Sequence, residues 1–477
     1  MSDTKTVKPE QKATFGPSLL VFILVVAVIF TGILVLGLDA HVPITFACAI
    51  VMIYSLVLHI PYKELEAAMI KTISESVVVL MILVCIGMLV AAWMAAGTVP
   101  YIIDIGLKLL APSVFLLFVA AMCAVLSSLT GSSWTTCATI GVAFMGISIG
   151  LGIPVAITAG AVASGAYFGD KQSPISDFCI YAAGVCKVDI YKHARRMLWT
   201  TGPAFAISCV LFLVISLGYG GGESYDATAV ENITGGLESA FKMGIPTLIP
   251  LAALIVFLIL KMPSIPSLFL AALVGALVAV FYQGMGWSEI FGAMMNGFSV
   301  DSEVAEVTRI CNRGGIGSMS YVIELMIVSL AMAGLFTRSG LLNAIVEKME
   351  RLIRNRVGLV STSIVTAFVG HFLFCDPYMA AIVPVKAFGK RYEELGIDKC
   401  VLSRSISDGA LVTCPMVPWG SSGVFTATTL GVETLKYLPY YFMWCTPIVG
   451  IVLAFLGLGI YKYDYDADPE GQKAEAL

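Results

Sequence analysis

Apolar residues run along the chain in blocks of roughly twenty, near positions 18–39, 41–60, 76–97, 198–218, 246–261, 265–283, 319–337 and 441–461, rich in Leu, Ile, Val, Ala and Phe. Such a block matches the thickness of a bilayer's hydrocarbon. There every backbone N–H and C=O must be paired within its own segment, so the blocks are predicted to be helices. Two further regions, 112–186 and 357–432, are apolar but interrupted every few residues by Gly, Pro, Ser, Thr and acids. They are not expected to be plain spanning rods; broken or re-entrant helices are predicted there.

Composition agrees with lipid as the solvent: 58% of the 477 residues are hydrophobic and 13% charged, with a mean hydropathy of +0.92. With 28 Lys and Arg against 32 Asp and Glu, the net charge of −4 gives nucleic acid no basic field to follow. The 12 cysteines lie mostly inside apolar runs, without CxxC or zinc-type spacing, and read as small buried hydrophobes. No resident cofactor is expected. Met1 to Gly16 is polar and leads into an apolar run with no small-residue cleavage site, which predicts an uncleaved first helix.

Basic residues cluster in four short loops: Lys63 and Lys71; Lys187, Lys192, Arg195 and Arg196; Lys348, Arg351, Arg354 and Arg356; Lys386, Lys390, Arg391 and Lys399. These loops are predicted to be cytoplasmic, as is the N-terminus. The acidic segment from Tyr219 to Gly244, with Glu223, Asp226, Glu231 and Glu238, should face outward. The predicted organisation is a tail (1–17), a first transmembrane repeat (18–218), an external linker (219–245), a second repeat (246–461) and a cytoplasmic tail (462–477).

A shift of about 240 residues lays one half on the other: Gly97 meets Gly340, Pro174 falls near Pro415, and Trp199 to Pro203 lies over Trp444 to Pro447. A half that starts inside and ends outside crosses an odd number of times, so the second half must be inverted. The expected fold is an all-α polytopic membrane protein of two inverted-topology repeats, with broken helices at the midplane and about ten or more spans.

Four stretches carry chemistry. Ser127 to Thr136 (SSLTGSSWTT) ends an apolar run in hydroxyls around Gly131. Such oxygens either pack helices together or, where a helix breaks, coordinate a hard cation such as Na⁺. Next, Asp170, Lys171 and Asp177 sit among apolar segments, where an unmatched charge costs ~2.5–3.5 kcal/mol. Gly169 and Pro174 would open the helix there, and Lys171 can neutralise one acid. The other reading is a surface turn with both acids in water. Asp376 then follows the apolar run Ser361 to Phe374 at the register of Ser132 and Ser133. Last come Arg404, Asp408, Thr413, Ser421 and Ser422, in a stretch too rich in Pro and Gly for one regular helix. A local Arg404–Asp408 bridge at i,i+4 is the bland alternative.

At these residues the sequence resembles the NhaC family of Na⁺/H⁺ antiporters, within the ion-transporter superfamily. The matching text is SGAYFGDKQSPISD with the upstream GSSWTTCATIGVAFMGI, then LSRSISDGALVTCPMVPWGSSG and TLGVETLKYLPY; the similarity covers about residues 18–461, and GDKxSPxSD is a specific signature. The resemblance implies an inner-membrane carrier whose site lies between two inverted halves. It carries function onto Asp170, Ser173 and Asp177, onto the upstream hydroxyls Ser132, Ser133, Thr135 and Thr136, and onto Asp408 and Thr413. The family also includes organic-acid and amino-acid exchangers. This chain departs from the usual Thr-Thr-Asn at Phe178-Cys179-Ile180, and from Trp-Asn-Thr-Cys at Trp419-Gly420-Ser421-Ser422.

The expected mechanism is exchange at an acid that holds either a proton or Na⁺. Asp170, Asp177 and Asp408 are the candidates, with Ser132, Ser133, Thr135, Thr136, Ser173, Asp376, Thr413, Ser421 and Ser422 as cation or substrate ligands. Lys171 and Arg404 compensate charge, and a Na⁺ site is expected at Ser132, Ser133, Asp170 and Asp177. Expected partners are Na⁺, H⁺ and lipid, with a homodimer as the assembly. The alternative cargo is a small organic anion or an amino acid. Four histidines without HExxH spacing argue against a membrane enzyme, and the absence of a fourfold filter loop argues against a channel.

Overall fold

The computed structural model describes residues 11–219, 227–260, 262–350, 353 and 355–463. Among them the chain is helical, with one antiparallel bridge between Ile397 and Lys462. Among the described residues eight helices are long and apolar enough to cross a membrane, and up to ten if each of two sharply bent pairs is one span. Their outer faces stay apolar although nothing covers them: Leu20, Ile23, Val210, Val214, Ile259 and Phe455 are exposed, as side chains dissolved in lipid should be.

The first half contains α1 (Phe15–Phe30, continued by a π-turn to Val35), α2 (His41–Val57), α3 (Tyr62–Glu75), α4 (Val77–Ala95) and α5 (Thr98–Leu109). After these come α6 (Pro112–Thr130), α7 (Ser133–Gly150), α8 (Val155–Gln172), α9 (Asp177–Cys186) and α10 (Ile190–Gly218). The second half contains α11 (Ala227–Ala240), α12 (Ile249–Ile259), α13 (Ser264–Val278), α14 (Trp287–Asn296), α15 (Ala305–Cys311), α16 (Ile316–Ser339) and α17 (Leu341–Glu350). Then follow α18 (Arg356–Phe374), α19 (Pro377–Glu394), α20 (Lys399–Ile406, continued by a π-turn through Leu411), α21 (Ser421–Leu430) and α22 (Cys445–Leu456).

Several helix boundaries recur at one separation. Helices α6 and α18 begin at Pro112 and Arg356 and end at Thr130 and Phe374, both 244 positions apart. Helices α9 and α21 share both ends at the same shift, Asp177 with Ser421 and Cys186 with Leu430. The residue after α6 is Gly131 (φ 67°) and the one after α18 is Cys375 (φ 56°), both left-handed. Each is followed by a cap, Ser132 or Asp376, whose side chain accepts a backbone N–H and starts a new helix. At this shift Pro174 matches Pro418 rather than Pro415, and Pro203 matches Pro447.

Two expectations change. The interrupted regions open with ordinary spans: α6 and α18 are unbroken, because the chain keeps its apolar residues together until Gly131 and Cys375 turn it. The basic clusters predicted as loops lie largely on helices: Lys63 and Lys71 on α3, Lys192, Arg195 and Arg196 on the first turns of α10, which starts at Ile190 and not at 198, Lys348 on α17, and Lys386, Lys390 and Arg391 on α19. The segment predicted as a linker also holds a helix, α11, beyond residues 220–226, which lie outside the described ones.

Helix α8 runs through the centre and is buried from Ile157 to Tyr167. Small residues make that possible. A Cβ on Gly165 would stand 2.1 Å from the Ala120 carbonyl oxygen, and one on Gly169 would stand 2.4 Å from that of Ala124, so α8 lies directly against the backbone of α6. Gly165→Leu should therefore destabilise the protein by at least the ~1–3 kcal/mol typical of overpacking. The readout is a fall of several degrees in the unfolding midpoint of purified protein in detergent; an unchanged midpoint would mean that α6 and α8 are not in this contact.

Candidate functional site

Four helix starts open onto one place. Ser132 caps α7, Ser176 caps α9, Asp376 caps α19 and Gly420 precedes α21. The first residues of these four helices line a single cavity of about 90 Å³, together with Val79, Ile82, Tyr167, Asp170 and Leu411. That is room for a cation and part of a hydration shell, since one water needs about 10–15 Å³ of such space.

The lining also follows the repeat. Ser132, Ser133 and Trp134 match Asp376, Pro377 and Tyr378; Tyr167 matches Leu411; Asp177 and Phe178 match Ser421 and Ser422, all at a separation of 244. The cavity thus draws on positions of the two halves that are 244 residues apart. At two of these pairs a carboxylate faces a hydroxyl: Asp376 against Ser132, and Asp177 against Ser421.

Asp170 is fixed by its neighbours. Its Oδ2 accepts the Ser133 backbone N–H at 3.1 Å and the Ser133 hydroxyl at 2.7 Å, and its Oδ1 accepts the Ser176 hydroxyl at 2.5 Å. The α7 amide reaches it because α7 starts directly after the Gly131 turn, where a Cβ would lie 2.9 Å from Ile175. Asp376 accepts the Met379 N–H at 2.9 Å and is buried. Asp177, at the start of α9, is exposed at the rim, which corrects the expectation that it is withdrawn from solvent: as the first residue after the Ser176 cap, it points out of the turn.

Of the other predicted ligands, Ser132, Ser133, Ser421 and Ser422 line the cavity, whereas Thr135, Thr136, Ser173 and Thr413 do not. Thr136 donates to the Ser132 carbonyl at 3.0 Å, Thr413 to that of Gly409, and Thr135 to the Ser132 hydroxyl at 3.1 Å. They serve their own broken helices. Ser173 is buried, and its hydroxyl has no partner among the described residues.

Lys171 and Asp408 form a second centre behind the cavity. Both are fully buried, and the Lys171 ammonium pairs with Asp408 Oδ1 across the two halves. Thr200 of α10 donates to the same oxygen at 2.8 Å. Lys171 therefore pairs with neither Asp170 nor Asp177. The local Arg404–Asp408 bridge is absent too, because the π-turn at Ser407 rotates Asp408 toward α8, and Arg404 donates instead to the Gly459 carbonyl at 2.8 Å. His371, in the last turn of α18, is buried.

Sequence reasoning missed the aromatic walls. Tyr167 lies one turn before Asp170 on the same helix face, a spacing that could have revealed it. Trp134, stacked on Phe425 at 4.3 Å, and Tyr378, 5.4 Å from Phe178, lie beside residues already chosen. Nothing local pointed to Thr200.

Comparison with known proteins gives the same frame. The model of the Na⁺/H⁺ antiporter family matches residues 165–458. The chain is 35% identical to the Na⁺/H⁺ antiporter NhaC of Alkalihalophilus pseudofirmus, covering 97% of this chain and 100% of that one. It is 36% identical to the malate-2H⁺/Na⁺-lactate antiporter of Bacillus subtilis (97% and 98%) and 34% to the arginine/ornithine antiporter ArcD of Halobacterium salinarum (97% and 96%). Among solved structures, MtrF of Neisseria gonorrhoeae gives a TM-score of 0.40 at 13% identity over 81% of this chain and 84% of that one, too loose a match to place residues.

The buried pair makes a stability prediction. Lys171→Met strands the Asp408 charge and should cost about 3–5 kcal/mol, while adding Asp408→Leu should recover most of it. Unfolding midpoints of the two variants in detergent check this; equal midpoints would mean that the pair does not form.

Proposed function

The chain belongs to the Na⁺/H⁺ antiporter family, and from that premise we propose that it is a multi-pass carrier exchanging Na⁺ for H⁺ by alternating access, with Asp170 as the acid that meets Na⁺. The observation that carries this is the cavity itself: carboxylates and hydroxyls at four broken helix ends, contributed by matching positions of two repeats. Hard-cation sites in secondary transporters are built from such parts, and a repeat inverted about an axis in the membrane plane lets the same cavity face either side. Asp170 is the best placed of the three cavity acids, being buried at the end of α8 and held by α7 and the turn before α9. Ser132, Ser133, Ser421, Ser422 and Asp376 supply further oxygens, with Asp177 at the entrance.

Carriage of an organic anion has one feature in its favour, the partial positive charge of four helix starts. Three carboxylates and no Lys or Arg among the lining residues weigh against it. We further propose an inner-membrane location with the N-terminus cytoplasmic, from the clusters of basic residues around the spans.

Asp170→Asn should reduce Na⁺-dependent proton movement in inverted vesicles at least tenfold, at unchanged protein level; wild-type exchange in that variant would remove Asp170 from the mechanism. For orientation, a cysteine placed at Lys71 in a background lacking native cysteines should resist a membrane-impermeant maleimide added to whole cells and react in inverted vesicles. Labelling only from outside would reverse the topology.

A further inference from the structure

Two pairs of aromatic rings join the halves beside the cavity. Trp134, the second residue of α7, stacks on Phe425, the fifth of α21, with centroids 4.3 Å apart and planes at 13°. Tyr378, the second residue of α19, meets Tyr181, the fifth of α9, edge to face at 5.2 Å and 80°. The Tyr181 hydroxyl also donates to the Tyr378 carbonyl at 3.1 Å. Trp134 and Tyr378 are 244 positions apart, and so are Tyr181 and Phe425. The same arrangement therefore occurs twice, with the halves exchanged. Trp134 and Tyr378 line the cavity, and Phe425 and Tyr181 back them.

The two pairs flank the cavity on opposite sides. From the cavity, α7 and α21 run toward α15: Gly146 of α7 lies against Ile310, and Arg313, just past α15, donates to the Leu430 carbonyl at the end of α21 at 3.2 Å. Helices α9 and α19 run toward the start of α20. Lys192, shortly after α9, pairs with Asp398 at 2.9 Å, and Glu393 of α19 pairs with Lys399. Helix α10, 29 residues and roughly 40 Å long, separates these two ends. It begins just after α9, and near its other end Ser216 donates to the Pro112 carbonyl at 2.6 Å, close in the chain to the Leu107 that meets Gly150 at the end of α7.

We propose that these ring pairs are the two gates of the cavity, Trp134–Phe425 toward one membrane face and Tyr181–Tyr378 toward the other, and that they part in turn during exchange. This rests on the alternating-access reading above and assigns residues to its two openings. A contact that breaks in every cycle should strand no charge when it does. Ring pairs meet that condition, because parting them wets apolar surface, whereas parting Lys171 from Asp408 would leave two buried ions without partners. The rings also recur where the chemistry around them does not. Ser132 stands against Asp376 and Asp177 against Ser421 at the same separation of 244, yet all four gate positions carry a ring. In this structure the Trp134–Phe425 side is shut more tightly: its rings lie flat on each other and Phe425 is fully buried, and Tyr167 and Thr426 share a hydrogen bond next to it at 3.2 Å. On the other side the rings meet at an edge, and Asp177, one turn before Tyr181, is exposed.

The test uses full-length protein lacking native cysteines, with Ser422→Cys as a single probe in the cavity lining. Its rate of labelling by a membrane-impermeant maleimide is measured in right-side-out and in inverted membrane vesicles. Trp134→Ala with Phe425→Ala should raise that rate at least threefold from one face and lower it from the other; Tyr181→Ala with Tyr378→Ala should do the reverse. Rates raised from the same face by both double variants, or left at the parent value, overturn the proposal. A second measurement keeps each side chain's position occupied. Cysteines at both members of a pair, joined by a short bifunctional thiosulfonate, should slow ²²Na⁺ counterflow in proteoliposomes at least tenfold, at either pair, with recovery on reduction. Counterflow within twofold of the same protein before linking, with linking complete, makes the pair fixed packing and overturns the proposal too. The labelling readout needs no transport, so it decides the gates separately from the antiport reading, which wild-type protein that moves no protons with Na⁺ would retire.

Discussion

Inside a bilayer a polar group has no water to fall back on, and this protein carries carboxylates, an ammonium and four helix starts at its centre. Each is matched from within. The Ser133 amide and two serine hydroxyls hold Asp170, Lys171 holds Asp408, and Asp376 caps α19. The fold depends on these matches, because a helix that breaks in lipid exposes amides and carbonyls that only other protein groups can satisfy.

The matches reach across the two halves. Lys171 belongs to the first half and Asp408 to the second, and Tyr167 of the first half shares a hydrogen bond with Thr426 of the second at 3.2 Å. The cavity lies on the seam, so what happens to its charge is felt by groups that join the halves. Equivalent positions do not carry equivalent chemistry, however. Asp376 stands where the other repeat has Ser132, and Asp177 where the other has Ser421. The backbone plan is duplicated, while acids and hydroxyls are divided between the copies.

The sequence was most legible where a residue's meaning is local. Gly131 marks a break because a left-handed turn and a close neighbour both exclude a side chain, and the acids of GDKQSPISD announce themselves by their cost in lipid. A shift near 240 was legible too, although the helix ends recur at 244, which brings Pro174 to Pro418 and not to Pro415. The partnership of each acid was not legible. Arg404 and Asp408 have ideal spacing for a bridge on a regular helix, and a single π-turn undoes it. Lys171 sits between residues 170 and 177 in the chain, yet its ion partner is 237 positions away.

The amino-acid sequence by itself determined that the chain lives in a membrane, where its helices break and which acids are stranded among apolar residues, because hydropathy, Gly and Pro act over a few residues. Only the tertiary structure decided that Asp170, Asp177 and Asp376 share one cavity while Lys171 and Asp408 form a closed pair behind it. The reason is geometric: consecutive residues of a helix point about 100° apart, so Asp170 and Lys171 were bound to face different neighbours, and which neighbours those are follows from packing α8 against both halves at once.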